Sequence, residues 1–566
     1  MQRTLVLLLI LNLLAAGCEG NSSRVPTAGG DGGRGNFADE PIVTIRTFSA
    51  PDRADIKAQQ IVGHAMDVEG IHPAGHPYKH TDFFMKGGGL QGIDQPPNGL
   101  QQFSYPYMAF LAGDTGANCI RTYGAAFPPF GSGETPQQQQ MDTSAALTWA
   151  TNATSGSMHM FVAVGITLQN SGAIDYTNTA AGSPLMVQRQ NALQFVQLVG
   201  QLDNNRQIAW IVGNELVQSS DPTVKAAVYT EINTIAQMIK SQGSSLPCMT
   251  AVPTVTTDEL ELIAQYCPDL DMLGVNDYYG AFGTRMGGGF LNTLHQTMVA
   301  SRGQAKGWKK PYVVSEFGSY DLAAADLPLV TLPNTPAFTP QGYYGLEANS
   351  TAVAQNYLTN YQTYIEPFLD GDGCLGSFCY VWENPVFSTY FAYYFEMFIT
   401  GPDSDPSYNP PGEFRTQSVG AMVQAWGGTD QGGPYPQISS ADGDPQAIQC
   451  TFKATASDLT PTPVSPGQQL QASITASYAS SLTFNWYIVD DTAQHYNPQL
   501  YEGTTSNAPV GLQQSTATSG PAQTNSITFT APTTPGNYQL RVTITDGTDP
   551  ATQAPAATAA IFFHVQ

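Results

Sequence analysis

From about residue 80 to 430 the chain repeats one hydrophobic pattern. Short runs that are apolar at nearly every position alternate with longer stretches whose apolar residues recur at helical spacing. The short runs are FFMKGGGL (83–90), CIRTYG (119–124), MFVAVGI (160–166), IAWIVGNEL (208–216), CMTAV (248–252), LGVNDYY (273–279), YVVSEF (312–317) and LGSFCYVW (375–382). The helical stretches include SPLMVQRQNALQFVQLVGQLDN, opened by Ser-Pro, then DPTVKAAVYTEINTIAQMIKSQG, TTDELELIAQYC, STAVAQNYLTNYQTYIEPFLD and a last helix, SVGAMVQAW. Strands without alternation, each followed by a helix, predict a parallel sheet covered on both faces. Eight such units fit a closed (β/α)8 TIM barrel, with an open doubly wound sheet as the alternative. The polar residues favour the barrel. Arg121, Asn214, Glu215, Tyr278, Glu316 and Trp382 all fall at the C-terminal ends of their strands, five strands in all, the face where barrel chemistry sits.

Outside this region the pattern changes. Residues 41–80 read as a strand-rich lead-in to the barrel at 81–430, and 431–449 as a Gly-, Pro- and Asp-rich linker. From 450 to 566, QLQASITASY, LTFNWYIVD, SITFTAP, YQLRVTITD and AAIFFHV alternate apolar and polar positions between turn signals such as TTPGN and DGTD. That predicts an all-β sandwich of immunoglobulin-like type behind the α/β domain, with Trp486 in its core and Tyr538 as a tyrosine corner. The linker's composition predicts that the sandwich folds independently.

The first 40 residues carry no fold signal. Arg3 precedes the apolar run LVLLLILNLLAAG, which ends at Cys18; the run is too short for a comfortable span and closes on small residues. It reads as an export signal over 1–18. LAAGC resembles a bacterial lipoprotein signal, which would make Cys18 the lipidated first residue; ordinary secretion is the alternative. Residues 19–40 are a Gly- and Ser-rich tether. The predicted location is the cell envelope, with the lipid as the only membrane contact.

Charge narrows the partners. Asp and Glu outnumber Lys and Arg by 45 to 21, for a net charge of −24, which argues against nucleic acid and anionic membranes and suits a neutral or cationic ligand. Beyond Cys18 there are six cysteines, and six allow fifteen disulfide pairings. His64, His72, His76 and His80 gather before the barrel without zinc-type spacing, so no metal and no cofactor are expected.

Glu215 follows a strongly apolar run, and a carboxylate is costly there unless something uses it. Glu316 ends the seventh strand as Glu215 ends the fourth, and in a barrel these ends face each other across the mouth. Glycoside hydrolysis needs such a pair. In a retaining enzyme the carboxyl groups stand about 5–5.5 Å apart; one protonates the leaving oxygen and the other attacks the anomeric carbon. Each residue also has a plainer reading. Glu215 could cap the next segment, Arg121 could be a structural ion-pair partner, and Trp382 could be core. Of Tyr278 and Tyr279, adjacent on a strand, only one can point inward.

Here the motifs, in order, resemble a known superfamily. GANCIRTYG, WIVGNE, GVNDYYG, VVSEFG and CYVWEN are similar to strands two, four, six, seven and eight of the clan A, or 4/7, glycoside hydrolases. The family 2 catalytic barrel and the family 72 β-1,3-glucanosyltransferases are the nearest in flavour. The resemblance implies Glu215 as acid/base and Glu316 as nucleophile. It implies that Asn214 binds the sugar 2-OH, that Tyr278 or Tyr279 orients Glu316, and that Arg121 holds the nucleophile charged. Trp382 would form the floor under the sugar; Glu383, directly after it, joins the substrate-side candidates without an assigned role. The expected activity is retaining hydrolysis of β-linked bonds in a glucan or related saccharide. A transglycosylase with the same residues, and a non-catalytic carbohydrate-binding lipoprotein, are the alternatives.

Overall fold

The structure is a computed structural model. It describes residues 44–46, 66–71, 77–90, 111, 115–123, 161–200, 207–244, 246–253, 255–277, 291–318, 330–331, 343–344, 349–369, 373–380, 382, 397–400, 413–430, 433–439, 447–452, 463–490, 510–516, 520–546 and 555–566. The signal and tether, Cys18 included, lie outside these residues, as do Tyr278, Tyr279 and Glu383.

The apolar runs form a closed barrel of eight parallel strands. In chain order they are β1 (Met85–Leu90), β2 (Cys119–Thr122), β3 (Phe161–Ile166), β4 (Gln207–Asn214), β5 (Cys248–Pro253), β6 (Leu273–Asn276), β7 (Tyr312–Phe317) and β8 (Cys374–Cys379). Closure by pairing of β8 with β1 rules out the open sheet. Ahead of the barrel, Thr44–Arg46, Met66–Ile71 and Pro77–Phe83 form a small antiparallel sheet.

The helices begin where the sequence supplies caps. They are α1 (Pro184–Gly200), α2 (Pro222–Ser241), α3 (Thr257–Tyr266), α4 (Leu291–Gly303), α5 (Ser350–Tyr364) and α6 (Gln417–Trp426). Asp221, Thr256, Asn349 and Thr416 each accept a backbone N–H of the first turn, which satisfies a donor with no partner inside the helix. Helix α4, which follows the Gly-rich stretch after β6, has no counterpart among the helices expected from the pattern.

Two apolar clusters divide the strand residues by face. Cys119, Phe161, Ala163, Ala209, Ile211, Met249, Ala251 and Val313 join a cluster drawn from the barrel strands and from no helix, so it fills the barrel interior. Ile120, Val162, Val164, Trp210, Val212, Val275 and Val314 join a second cluster with Phe195, Tyr229, Ile232 and Tyr357, so it lies between barrel wall and helices. Strands buried on both faces have no reason to alternate, which is why the sequence runs read as unbroken.

The C-terminal segment forms two four-stranded antiparallel sheets around one core that includes Trp486, Leu540, Phe563 and Ile474. Trp486 Nε1 donates to Asn525 Oδ1 (2.8 Å), and Tyr538 Oη donates to the Thr534 carbonyl (2.9 Å), the corner bond expected of it. Gln437–Ser439, inside the stretch read as linker, pairs with this sandwich. The sandwich meets α5 and α6 through polar contacts. Ser350 Oγ accepts the Thr558 N–H (3.0 Å), and Thr351 Oγ1 accepts the Ile438 N–H (3.0 Å) and Gln417 Nε2 (3.0 Å).

Candidate active site

The candidate carboxylates sit where their strands stop alternating. In β4, Ala209 and Ile211 face the interior and Trp210 and Val212 face the helices. Strict alternation would turn Gly213 inward and Asn214 out. Instead the register with β5 shifts between Ile211 and Asn214, and Gly213 adopts φ +72°. Glu215 follows with φ +50°, the one non-glycine positive φ among the described residues. A side chain in that region is strained and persists only where the surroundings fix it. Glu215 is fixed by its N–H, which donates to the Ala251 carbonyl (2.8 Å). The irregularity lets two adjacent side chains reach one partner: Asn276 Nδ2 donates to Asn214 Oδ1 (3.0 Å) and to Glu215 Oε1 (2.9 Å).

Strand β7 repeats the device. Val313 faces the interior and Val314 the helices, and the register then shifts between Val314 and Glu316 toward β6 and between Val314 and Phe317 toward β8. Phe317 packs outward near Tyr357 and Tyr361, while Ser315 and Glu316 both turn to the cluster. Glu316 is buried, and Arg121 Nη1 lies 3.0 Å from its Oε1.

Arg121 is the hub. It sits two residues beyond Cys119 on the inward face of β2 and is fully buried. Its Nη2 donates to Asn214 Oδ1 (2.6 Å), and its Nη1 donates to Asn276 Oδ1 (3.2 Å) and to the Ser315 carbonyl. A buried guanidinium needs this many partners, because an uncompensated charge in the interior is expensive. One cation and one amide thus connect the ends of β4 and β7.

Tyr123 continues the inward face of β2, and its ring lies 4.4 Å from the Arg121 guanidinium carbon. The residue is half-buried but its hydroxyl is fully enclosed. Burial pushes its pKa well above the ordinary range; Arg121 opposes that shift and the nearby Glu316 adds to it. The phenol therefore stays protonated beside Glu316. It fits only because residue 89 is glycine: a Cβ there would stand 2.7 Å from Tyr123 Oη.

Trp382 is placed differently from the expected sugar floor. It is fully buried, belongs to the cluster between wall and helices, and packs on Phe398 (5.8 Å between ring centroids) and Trp426 (5.3 Å). That is the core alternative, and the physical reason is the apolar shelf that α6 and Phe398 offer behind β8. The expected roles of Tyr278, Tyr279 and Glu383 concern residues outside those described. The described residues contain no group of metal-ligating side chains.

Three members of the cluster escaped the sequence reading: Asn276, Ser315 and Tyr123. The signal for each was a polar residue ending or interrupting an apolar strand, in LGVN, VVSE and CIRTY.

No protein-family model matches the sequence, and no curated protein matches it. Among solved structures the chain is similar to a calcium-binding mutant of Bacteroides uniformis β-glucuronidase 2, at 14% identity and TM-score 0.38 over 89% of this chain and 47% of that one. It is similar to the β-mannanase of the blue mussel Mytilus edulis, at 12% identity and TM-score 0.32 over 65% of this chain and 96% of that one. A β-glucosidase from Exiguobacterium marinum aligns at 10% identity and TM-score 0.34 over 53% of this chain and 89% of that one. The chain thus spans about half the length of the β-glucuronidase, 47%.

Proposed function

We propose that the chain is a retaining glycoside hydrolase that cleaves β-linked bonds in a glucan or related saccharide. The observation that carries this reading is the convergence of Glu215 and Glu316, from the ends of β4 and β7, on one Arg121–Asn276 cluster. Glu316 is the nucleophile: it is the carboxylate in direct contact with the cation, which favours its charged form. Glu215 is the acid/base, more exposed than Glu316 and so nearer the water that must enter in the second step. Asn214 spends its amide oxygen on Arg121 and Asn276, which leaves its N–H groups to donate to the sugar 2-OH. Tyr123, protonated and close to Glu316, is placed to help fix the nucleophile.

Azide separates the two roles. Glu215→Ala should keep glycosylation on an aryl β-glycoside with a good leaving group, lose most activity on poor ones, and yield a β-glycosyl azide when azide is added. Glu316→Ala should form no covalent intermediate and give the α-azide if any. Near-native activity of Glu215→Ala on unactivated sugars would make Glu215 structural and end this reading.

We also propose that LAAGC directs export and lipidation at Cys18, with the immunoglobulin-like sandwich as an accessory module. Acyl groups on Cys18 in the mass spectrum of the native N-terminus are the expected result; an unmodified terminus downstream of it would contradict anchoring.

A further inference from the structure

Asn276 ends β6, is buried, and touches both halves of the cluster. Its Nδ2 donates to Glu215 Oε1 (2.9 Å) and Asn214 Oδ1 (3.0 Å). Its Oδ1 accepts from Arg121 Nη1 (3.2 Å) and Ser315 Oγ (2.8 Å). An amide has two N–H donors and an oxygen with two lone pairs, so every position is used. The arrangement also fixes which way the amide lies. Turned over, its oxygen would face the Glu215 and Asn214 oxygens and its N–H groups would face the guanidinium.

We propose that Asn276 is a positioning residue that holds the Glu215 carboxylate with its amide nitrogen and Arg121, the partner of Glu316, with its amide oxygen, keeping the two carboxylates in fixed register across the mouth. This rests on the glycosidase reading above. A satisfied core asparagine is the plainer account, but such a residue would have no reason to spend a donor on a carboxylate at a strained backbone position. The chemistry also singles out an amide. Aspartate keeps the acceptor for Arg121 and Ser315 but offers no N–H to Glu215. Leucine fills the volume and holds neither side.

The test compares leaving groups. Native protein, Asn276→Asp and Asn276→Ala are assayed on paired 4-nitrophenyl and 4-methoxyphenyl β-glycosides of gluco, galacto, manno and glucuronic configuration, with thermal unfolding followed in parallel. A nitrophenolate leaves with little protonation, and a methoxyphenolate needs the proton from Glu215. If Asn276 positions Glu215, Asn276→Asp should lose about ten-fold more kcat/KM on the methoxyphenyl than on the nitrophenyl partner. Asn276→Ala adds no charge and should show the same bias on top of a loss common to both substrates, since it also frees Arg121. Equal losses on both leaving groups, or no loss, would overturn the proposal, as would failure of both variants to fold, which would make Asn276 a residue of the fold alone. A native protein inactive on the whole panel, or a Glu215→Gln variant as active as native on the methoxyphenyl substrate, would instead remove the glycosidase reading on which the proposal rests.

Discussion

Strand β3 of the barrel and strand Gln469–Tyr478 of the sandwich share a pleated backbone but read differently. All six residues of Phe161–Ile166 are buried. In Gln469–Tyr478 buried Leu470, Ala472, Ile474 and Ala476 alternate with exposed or half-buried Gln469, Gln471, Ser473 and Thr475. The difference lies in what covers the faces. A barrel strand has side chains on one side and helices on the other, whereas this sandwich strand has core on one side and water on the other. It follows that a polar residue means different things in the two. In the sandwich strand it marks the wet face. At a barrel strand it must find partners, and Arg121, Asn276, Ser315 and Glu316 find one another.

That contrast can be broken most severely at Arg121. Arg121→Met leaves Glu316 buried beside no cation, and we expect about 3–5 kcal/mol of lost stability. Activity should fall at least ~10³-fold as Glu316 loses its cation and Asn214 and Asn276 lose their guanidinium donor. Denaturant unfolding and aryl-glycoside kinetics read both.

Truncation after Asp430 tests how separate the two regions are. The linker's composition predicts a barrel indifferent to loss of the sandwich, but Ser350, Thr351 and Gln417 hydrogen-bond across to Thr558, Ile438 and the Pro436 carbonyl. At about 0.5–1.5 kcal/mol net for each of these three bonds, the isolated barrel should be destabilised by about 1.5–4.5 kcal/mol. An unchanged barrel melting temperature would show that the contacts contribute nothing.

Gly213→Ala sharpens the contrast at the strand ends. The position has φ +72°, and a Cβ there would lie 2.5 Å from Leu216 Cδ1. The expected cost is about 1–2 kcal/mol, with a larger loss of kcat than a remote substitution of equal cost because Asn214 and Glu215 are re-aimed. The smallest effect belongs to the wet face. Gln471→Ala should change stability by no more than about 0.5 kcal/mol and leave kinetics untouched.

The same contrast explains what the sequence made legible. Closed-barrel architecture followed from unbroken apolar runs separated by helical ones, and the sandwich followed from alternation. Glu215, Glu316, Arg121 and Asn214 stood out because each is polar at the end of an apolar strand, and the structure gathers all four. What period-2 reasoning could not supply was direction. By alternation Asn214 and Glu316 belong on the helix side; the shifts after Ile211 and Val314 turn them inward, and no residue pattern announces a shift of register. Asn276 is overshadowed in the sequence by the aromatic pair Tyr278–Tyr279 beyond Asp277, although its place at the end of LGV is the same signal that exposed Glu215. Trp382 misled for the opposite reason. An aromatic at a strand end can serve either face, and the shelf formed by Phe398 and Trp426 is made by residues distant in sequence from the barrel strand.

The central claim is that Glu215 and Glu316 work as a retaining pair. The most direct measurement is proton NMR of the first sugar released from an aryl β-glycoside that the protein turns over, recorded before mutarotation. Double displacement predicts that the β-anomer appears first and the α-anomer only later, by equilibration. If the α-anomer appears first, water attacks the anomeric carbon directly, Glu316 is no nucleophile, and the ends of β4 and β7 do not carry a retaining pair.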